Sequence, residues 1–415
     1  MSKYYSMPVA LFFLLSMQGW TANFQIQGST IKDPNGIPFI PVGANIAVDN
    51  FYGWNSFLAQ NNAVSSFTKS WRFNTARANL VIGESSWGGV ILGTGWSTDS
   101  SRSRIRIDAL VDSLTPKKVV VMLEVHDWTG KYPSLASDYL AIRNFWAWAA
   151  TRYRANPYVW LNLWNEPGWE SPVSPDYFSV NQKLIRFIRD TLQVENVIVV
   201  DGAAYGQDSY SWNEASVWEG NSGILHYGKQ LSEGFRNILF SVHLYDQWGP
   251  NDTGIARANK FRDYLQRMRD SSLAILIGEV GSTSATRFIG TTQMAYEIGL
   301  KEFGVGMLAW HWDPGDGFRL TDGINQYAGY HINDESNPTN LSPWMGQWFW
   351  RATHLDGYGL NGSRAPVIKR AGTPKQVTSS NTTFDLLGRE WELAQTILPR
   401  ALPGSRTRSG QSQWK

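Results

Sequence analysis

Val159-Trp160-Leu161-Asn162-Leu163-Trp164-Asn165-Glu166-Pro167 decides how the chain is read. Its apolar run, Val159-Trp160-Leu161, suits a buried parallel strand. Packing does not explain the Asn-Glu pair at its end, because an isolated buried carboxylate is costly. Pro167 fits as a stop, since it has no N–H for a sheet ladder. A second stretch mirrors the first: Ile275-Leu276-Ile277-Gly278-Glu279-Val280-Gly281 is also an apolar run with a glutamate at its tip. The two glutamates are therefore expected to face each other across a groove.

Working outward, short apolar runs recur along the chain. They cover Phe39 to Ala44, Asn74 to Leu80, Val119 to Val125, Val159 to Asn165, Val197 to Asp201, Ile238 to His243, Ala274 to Glu279 and Val305 to Trp310. Between them lie stretches with helical spacing, at Leu135 to Arg154, Pro175 to Leu192, Ala256 to Arg269 and Thr291 to Phe303. Alternating strands and helices imply a parallel sheet with crossover helices. About eight such units predict an α/β fold, a (β/α)8 TIM barrel. An open doubly wound sheet is disfavoured, because no Gly-x-Gly-x-x-Gly follows the first strand. Ahead of the barrel, Phe24 to Gly28 and Ile37 to Ile40 flank Asp33-Pro34-Asn35-Gly36, which predicts a short N-terminal β-hairpin. In a barrel the chemistry sits at the C-terminal strand ends. Those ends carry Arg77, His126-Asp127, Asn165-Glu166, Asp201, His243, Tyr245, Glu279, Trp310 and Trp312. A purely structural barrel has no need of them.

Composition narrows the partners. A net charge of +2 and a charged fraction of 17% over 415 residues give no pull toward nucleic acid. The 21 tryptophans suit a large core and flat faces for sugar rings alike. Residues 1–22 read as a secretory signal, with Lys3 ahead of a short apolar run from Pro8 to Leu15. The expected protein is thus secreted and extracellular, free of membrane once the signal is removed, and monomeric. The chain has no cysteine, so its stability must rest on its core. Residues 23–369 are expected to form the catalytic barrel and 370–415 a polar, flexible tail, with a short amphipathic helix around Leu386 to Leu398. Glycosylation sequons stand at Asn251, Asn340, Asn361 and Asn381.

Two carboxylates at facing strand tips suit glycosidic bond hydrolysis, one as acid and the other as nucleophile or base. Around them, Asn165 is placed to bind a sugar 2-hydroxyl, or to cap the following turn. Arg77 and Tyr245 are placed to hold Glu279 ionised and lower its pKa, with Glu124 as a rival partner for Arg77. Glu166 must keep a proton to act as acid, so its surroundings should raise its pKa. His126 and His243 are placed to bind hydroxyls or orient the carboxylates. Trp310 is placed to floor a sugar subsite; Trp312 would share its face on an extended strand, so one of the two is a core candidate. The histidines match no compact metal motif, so neither a metal nor a cofactor is expected.

These residues resemble glycoside hydrolase family 5. Trp164-Asn165-Glu166-Pro167 and Ile277-Gly278-Glu279 are similar to its acid/base and nucleophile motifs. Arg77, His126, Asn165, His243, Tyr245 and Trp310 fall where the family places shared site residues, over roughly Phe24 to Thr353. Leu123 to Gly130, Val200 to Asp208 and Ala309 to Trp312 resemble the strand motifs of bacterial-type β-mannanases. The resemblance implies a retaining endo-β-1,4-glycosidase acting on mannan or glucomannan by double displacement, with a polysaccharide or oligosaccharide as partner. Tyr205 replaces a common tryptophan and His311 a common small residue, which leaves a cellulase of the same family open. A carbohydrate-binding barrel without catalysis is the rival from another class.

Overall fold

The computed structural model describes residues 23–49, 56–82, 86–87, 90–91, 100–133, 136–169, 171–209, 216–245, 247–248, 254–282, 290–312, 318–321 and 341–360. The expected signal segment, the tail with its helix, and the asparagines of all four sequons lie outside them. The barrel falls within a compact unit, Met1–Gly372.

Eight parallel strands close into a barrel in chain order: β1 (Val42–Ala47), β2 (Thr75–Leu80), β3 (Val120–Val125), β4 (Val159–Asn162), β5 (Ile198–Asp201), β6 (Ile238–Leu244), β7 (Ile275–Val280) and β8 (Met307–Ala309). The molecule is a (β/α)8 TIM barrel, as the alternation predicted. Every strand residue is buried, because helices cover the outside and side chains fill the inside. The first strand begins three residues later than expected. Pro41, which lacks an N–H, delays it, and it runs on through Asn45 to Ala47.

The helices are α1 (Ala63–Ser65), α2 (Ser100–Leu114), α3 (Ala136–Tyr153), α4 (Pro175–Arg186), α5 (Gly223–Ser232), α6 (Gly254–Asp270), α7 (Thr291–Met294) and α8 (Gly346–Trp350). Four of them, α1, α4, α7 and α8, continue into wider turns bonded five residues apart, such as Leu192 N–H to the Phe187 carbonyl at 3.0 Å. Ser174 caps α4 ahead of Pro175, its side chain accepting from the Asp176 N–H.

The N-terminal hairpin is present but closes earlier than expected. Gln25–Gln27 pairs with Thr30–Lys32 around Gly28, whose φ of 56° suits the tight turn. The Asp33–Gly36 turn is real too, with Asp33 Oδ1 accepting from Asn35 and Ile37 N–H. It closes only the single bridge Lys32 to Pro38, since Pro38 has no N–H to extend a ladder. Phe24 and Ile31 plug the N-terminal end of the barrel. There they join Met122, Trp160, Val199, Leu239, Leu276 and Leu308, the lower inward layer.

Above that apolar layer the inward positions turn polar. Asn45 pairs in register with Arg77, Asn79 with Glu124, Glu124 with Asn162, and Ser241 with Asp201. The apolar lower half anchors the barrel, and the polar upper half carries the site.

Candidate active site

Arg77 is the centre of the polar layer and is fully buried. A guanidinium has five N–H donors in a fixed fork, and here each finds an acceptor. Nε donates to Asn162 Oδ1 at 2.8 Å. Nη1 donates to Asn45 Oδ1 at 2.9 Å and Glu279 Oε1 at 2.6 Å. Nη2 donates to Asn165 Oδ1 and Asp201 Oδ2, both at 2.9 Å. Glu124, the rival partner, also lies 3.7 Å from Nη2. Burial works against the arginine's charge, but Glu124, Asp201, Glu279 and Glu166 hold its pKa above the usual value.

Glu279 owes its direction to an irregularity in β7. Val242 of β6 faces Ile277, so a regular ladder would set His243 opposite Gly278. Instead His243 faces Glu279. The same extra residue appears against β8, where Ile277 faces Met307 and Val280 faces Ala309. This bulge turns Glu279 into the barrel mouth when strict alternation would point it outward. Gly278 makes the bulge possible, because a Cβ there would lie 2.1 Å from Ser241 Oγ. Asn45 holds the bulge, its Nδ2 donating to the Gly278 and Ala309 carbonyls at 3.0 and 3.1 Å.

Glu166 enters from the opposite side, just past β4, at a left-handed φ of 47°. Its carbonyl accepts from Gly130 N–H at 2.8 Å. Its Oε1 is 2.8 Å from His243 Nδ1. One oxygen each of Glu166 and Glu279 and a nitrogen of His243 lie within 4.8 Å of one another. A divalent cation would accept that spacing. Here the imidazole nitrogen is hydrogen-bonded to Glu166, and Glu279 is held by Arg77 and by Tyr245 Oη at 2.8 Å, so the donors serve one another.

The two carboxyls titrate unequally. Burial raises Glu166 well above the usual carboxylate range, and the charges of Glu279 and Asp201 push it further. Burial also raises Glu279, to about 7, against the pull of Arg77, His126 and Tyr245. The expected lowering of Glu279 is thus corrected: the partners are in place, but desolvation outweighs them. The chemistry needs Glu279 ionised while Glu166 keeps its proton, and it is Glu279 that the Arg77 and Tyr245 hydrogen bonds hold in its ionised form. Burial, together with Arg77 and His126, lowers His243 well below its ordinary value and keeps it neutral. Its Nε2 faces Asp201 Oδ2 at 3.4 Å. A proton on Nε2 leaves Nδ1 to accept from a protonated Glu166.

Asn165 uses its side chain twice, accepting from Arg77 and donating to Thr129 Oγ1 at 2.8 Å. His126 Nδ1 lies 3.1 Å from Glu124, and its ring stacks on Trp310 with 5.4 Å between centroids. Burial lowers the pKa of His126, but Glu124 reverses the effect and holds it above the usual value. Asp127 turns away, its Oδ2 accepting from Ile82 N–H at 2.6 Å. The structure does not bring Trp312 to the cleft. The strand ends at Ala309, so alternation does not carry past it. Trp312 is 1% exposed and packs on Phe57, Phe67, Trp71 and Phe73.

Sequence reading assigned no role to Asn45, Asn79, Asn162 or Asp201. Polar residues inside otherwise apolar strands were the available signal.

Residues 33–316 match the family model described as Cellulase (glycosyl hydrolase family 5). A mannan endo-1,4-beta-mannosidase of Cellvibrio japonicus is 23% identical over 304 residues, 73% of this chain. The match spans 62% of that relative's length. A second, from Salipaludibacillus agaradhaerens, is 26% identical over 324 residues, covering 76% of this chain and 90% of the relative. Among solved structures, a beta-mannanase from Streptomyces thermolilacinus with mannohexaose aligns with a TM-score of 0.59 at 20% identity. That alignment covers 85% of this chain and all of the other, and it shows a shared fold.

Proposed function

The chain belongs to glycosyl hydrolase family 5, and on that premise we propose that it is an endo-β-1,4-mannanase working by double displacement with retention. The observation that carries this reading is the pair Glu166, just past β4, and Glu279, on β7, with one oxygen of each within 4.8 Å of the other. Retaining glycosidases hold their carboxyl groups about 5–5.5 Å apart, and inverting ones leave room for a water at about 6.5–9.5 Å.

In the first step Glu279 attacks the anomeric carbon as the protonated Glu166 gives its proton to the departing glycosidic oxygen. The bond from carbon to that oxygen breaks, and a glycosyl ester forms on Glu279. In the second step Glu166 takes a proton from water, and the hydroxide oxygen displaces Glu279. Arg77 and Tyr245 stabilise the carboxylate each time it leaves. Asn165 presents its amide to the sugar 2-hydroxyl, and Trp310 with His126 floors the ring being transferred. Between turnovers the neutral His243 accepts a hydrogen bond from the protonated Glu166.

The relatives' names support mannan or glucomannan as substrate. The family model supports β-1,4-glucan as the second reading. Residues 23–369 are the proposed catalytic unit, exported by residues 1–22 and followed by a polar tail. A substrate panel tests this reading. Wild type should release reducing ends from mannan or glucomannan faster than from carboxymethylcellulose or xylan, with the β-anomer formed first by NMR. Glu279→Ala should lose hydrolysis of all four. Equal mannan hydrolysis by that variant would defeat the assignment.

A further inference from the structure

Asp208 is a fully buried carboxyl that the reaction does not use. It stands in the loop after β5, and its hydrogen-bond partners carry no charge. Ser222 Oγ and Tyr264 Oη donate to its Oδ2, the second at 2.9 Å, and the Ile224 N–H donates to its Oδ1 at 3.2 Å. Burial raises its pKa to about 7 against the pull of these donors. Tyr264 comes from α6, and Tyr177 of α4 is close enough to feel the Asp208 charge. Lys260, also buried on α6, gives its Nζ to Ser209 Oγ at 2.8 Å. A carboxyl buried among neutral donors is costly, and its place in the chain shows what it holds.

The turn that Asp208 ends is tightly wound. Ala204, Tyr205, Gly206 and Asp208 all have left-handed φ, at 53, 56, 71 and 49°. Three of the four carry side chains, and such backbone persists only where its surroundings hold it. The Asp208 N–H closes the turn on the Ala203 carbonyl at 2.9 Å. Its carboxyl then fastens the closed turn to α6 and to the start of α5, where Ser222 is the N-cap and also accepts from Leu225 N–H at 3.0 Å.

The same turn lies against the acid/base. A Cβ on Gly206 would come within 2.5 Å of His243 Nδ1 and 3.0 Å of Glu166 Cγ, the two residues joined by the 2.8 Å hydrogen bond. The Gly206 carbonyl accepts from His243 N–H at 2.8 Å. The Tyr205 N–H ties the turn to the Gly168 carbonyl at 2.9 Å, just past Glu166. The nucleophile takes its hydrogen bonds from elsewhere, since Glu279 is held by Arg77 and Tyr245.

We infer that Asp208 is a positioning residue for the acid/base: by fastening the turn to α5 and α6 it holds Gly206 against Glu166 and His243, and so aims the Glu166 proton, a role that rests on Glu166 being acid and base. Asp208 acts through the backbone and touches no substrate. Asparagine in its place keeps the size but loses the clamp, because its one oxygen has two lone pairs for three donors and its nitrogen only donates.

The test separates a leaving group that needs the proton from one that does not. A sugar departs with a proton from the acid, whereas dinitrophenolate departs without one. Wild type, Asp208→Asn, Tyr264→Phe and Glu166→Ala are compared by kcat/KM on mannohexaose and dinitrophenyl mannobioside, or on the cello-counterparts if wild type favours glucan. That ratio ends at the glycosyl-enzyme, so the later water step does not enter. Asp208→Asn should lose about 10- to 100-fold on the hexaose and less than about threefold on the aryl substrate. Tyr264→Phe withdraws one hydroxyl and should show the same split in smaller measure; it decides the matter if Asp208→Asn does not fold. Glu166→Ala sets the full size of the split. Equal losses on both substrates, as a merely structural clamp would give, or no loss on the hexaose, overturn the role. If wild type cleaves no mannan or glucan, or Glu166→Ala shows no split, the acid/base reading fails instead. The clamp is then judged by nitrogen NMR of the histidine rings. In Asp208→Asn the His243 Nδ1 signal should move while the His126 signals stay, and an unmoved His243 signal overturns it.

Discussion

Replacing Gly278 with alanine tests the idea that a bulge aims the nucleophile. The new Cβ would sit 2.1 Å from Ser241 Oγ, 3.3 Å from His243 Nε2 and 3.4 Å from Ser241 Cβ. Only the first contact is impossible; the other two are tight. Something must shift, and the neighbours are the bulge itself and the imidazole beside Glu166. Overpacking of this kind costs about 1–3 kcal/mol. A displacement of about 1 Å at a reacting group costs on the order of 100-fold in rate. Gly278→Ala should therefore lower Tm by a few degrees and kcat by about 10- to 100-fold, with KM less affected. Ser241 Oγ has no hydrogen-bond partner, so Ser241→Ala alone should be close to neutral. Combined with Gly278→Ala it removes the clash and should recover most of both losses, a coupling of about 1–2 kcal/mol in a double-mutant cycle. Thermal melts and kcat on one soluble substrate are sufficient. A single variant with wild-type Tm and kcat, or a double variant no better than Gly278→Ala, would refute the bulge argument.

Three further outcomes follow from the geometry. Glu279 sits at about 7 and Glu166 well above 4.5, so the folded chain holds these protons more tightly than the unfolded one. That stabilisation is complete below about pH 4.5 and is lost as pH rises through 7 and beyond. Glu166→Gln should accordingly gain Tm over wild type at pH 8 and show less gain at pH 4, and a constant offset would contradict the burial argument. In wild type, kcat/KM should climb as Glu279 ionises near pH 7 and decline as Glu166 loses its proton. Trp312→Ala should cost about 3–5 kcal/mol of stability with KM unchanged in the folded protein. A raised KM with an unaltered Tm would return Trp312 to the cleft.

What sequence made legible depended on how local the cause was. Val159-Trp160-Leu161 and Ile275-Leu276-Ile277 are apolar on both faces, so strand and burial could be read together. The facing glutamates followed once about eight such runs implied a barrel. The bulge at Gly278 could not be seen, because it is defined by register against β6 and β8 and not by β7 itself. Trp312 was misplaced for a related reason: alternation was extended beyond Ala309, where the strand had already ended. Asp33-Pro34-Asn35-Gly36 is a true turn, yet the closure at Gly28 formed the longer pairing. The pKa of Glu279 was missed because its partners are named in the sequence and its burial is not.

Arg77 has a consequence for how such a protein can change. It draws acceptors from β1, β4, β5 and β7 and from the loop residue Asn165, while itself standing on β2. One side chain thus rivets five of eight staves and also sets the charge beside the nucleophile. Mutations that loosen the rivet should weaken barrel and reaction together, leaving little room to exchange one for the other. Drift in substrate preference is channelled to residues outside it.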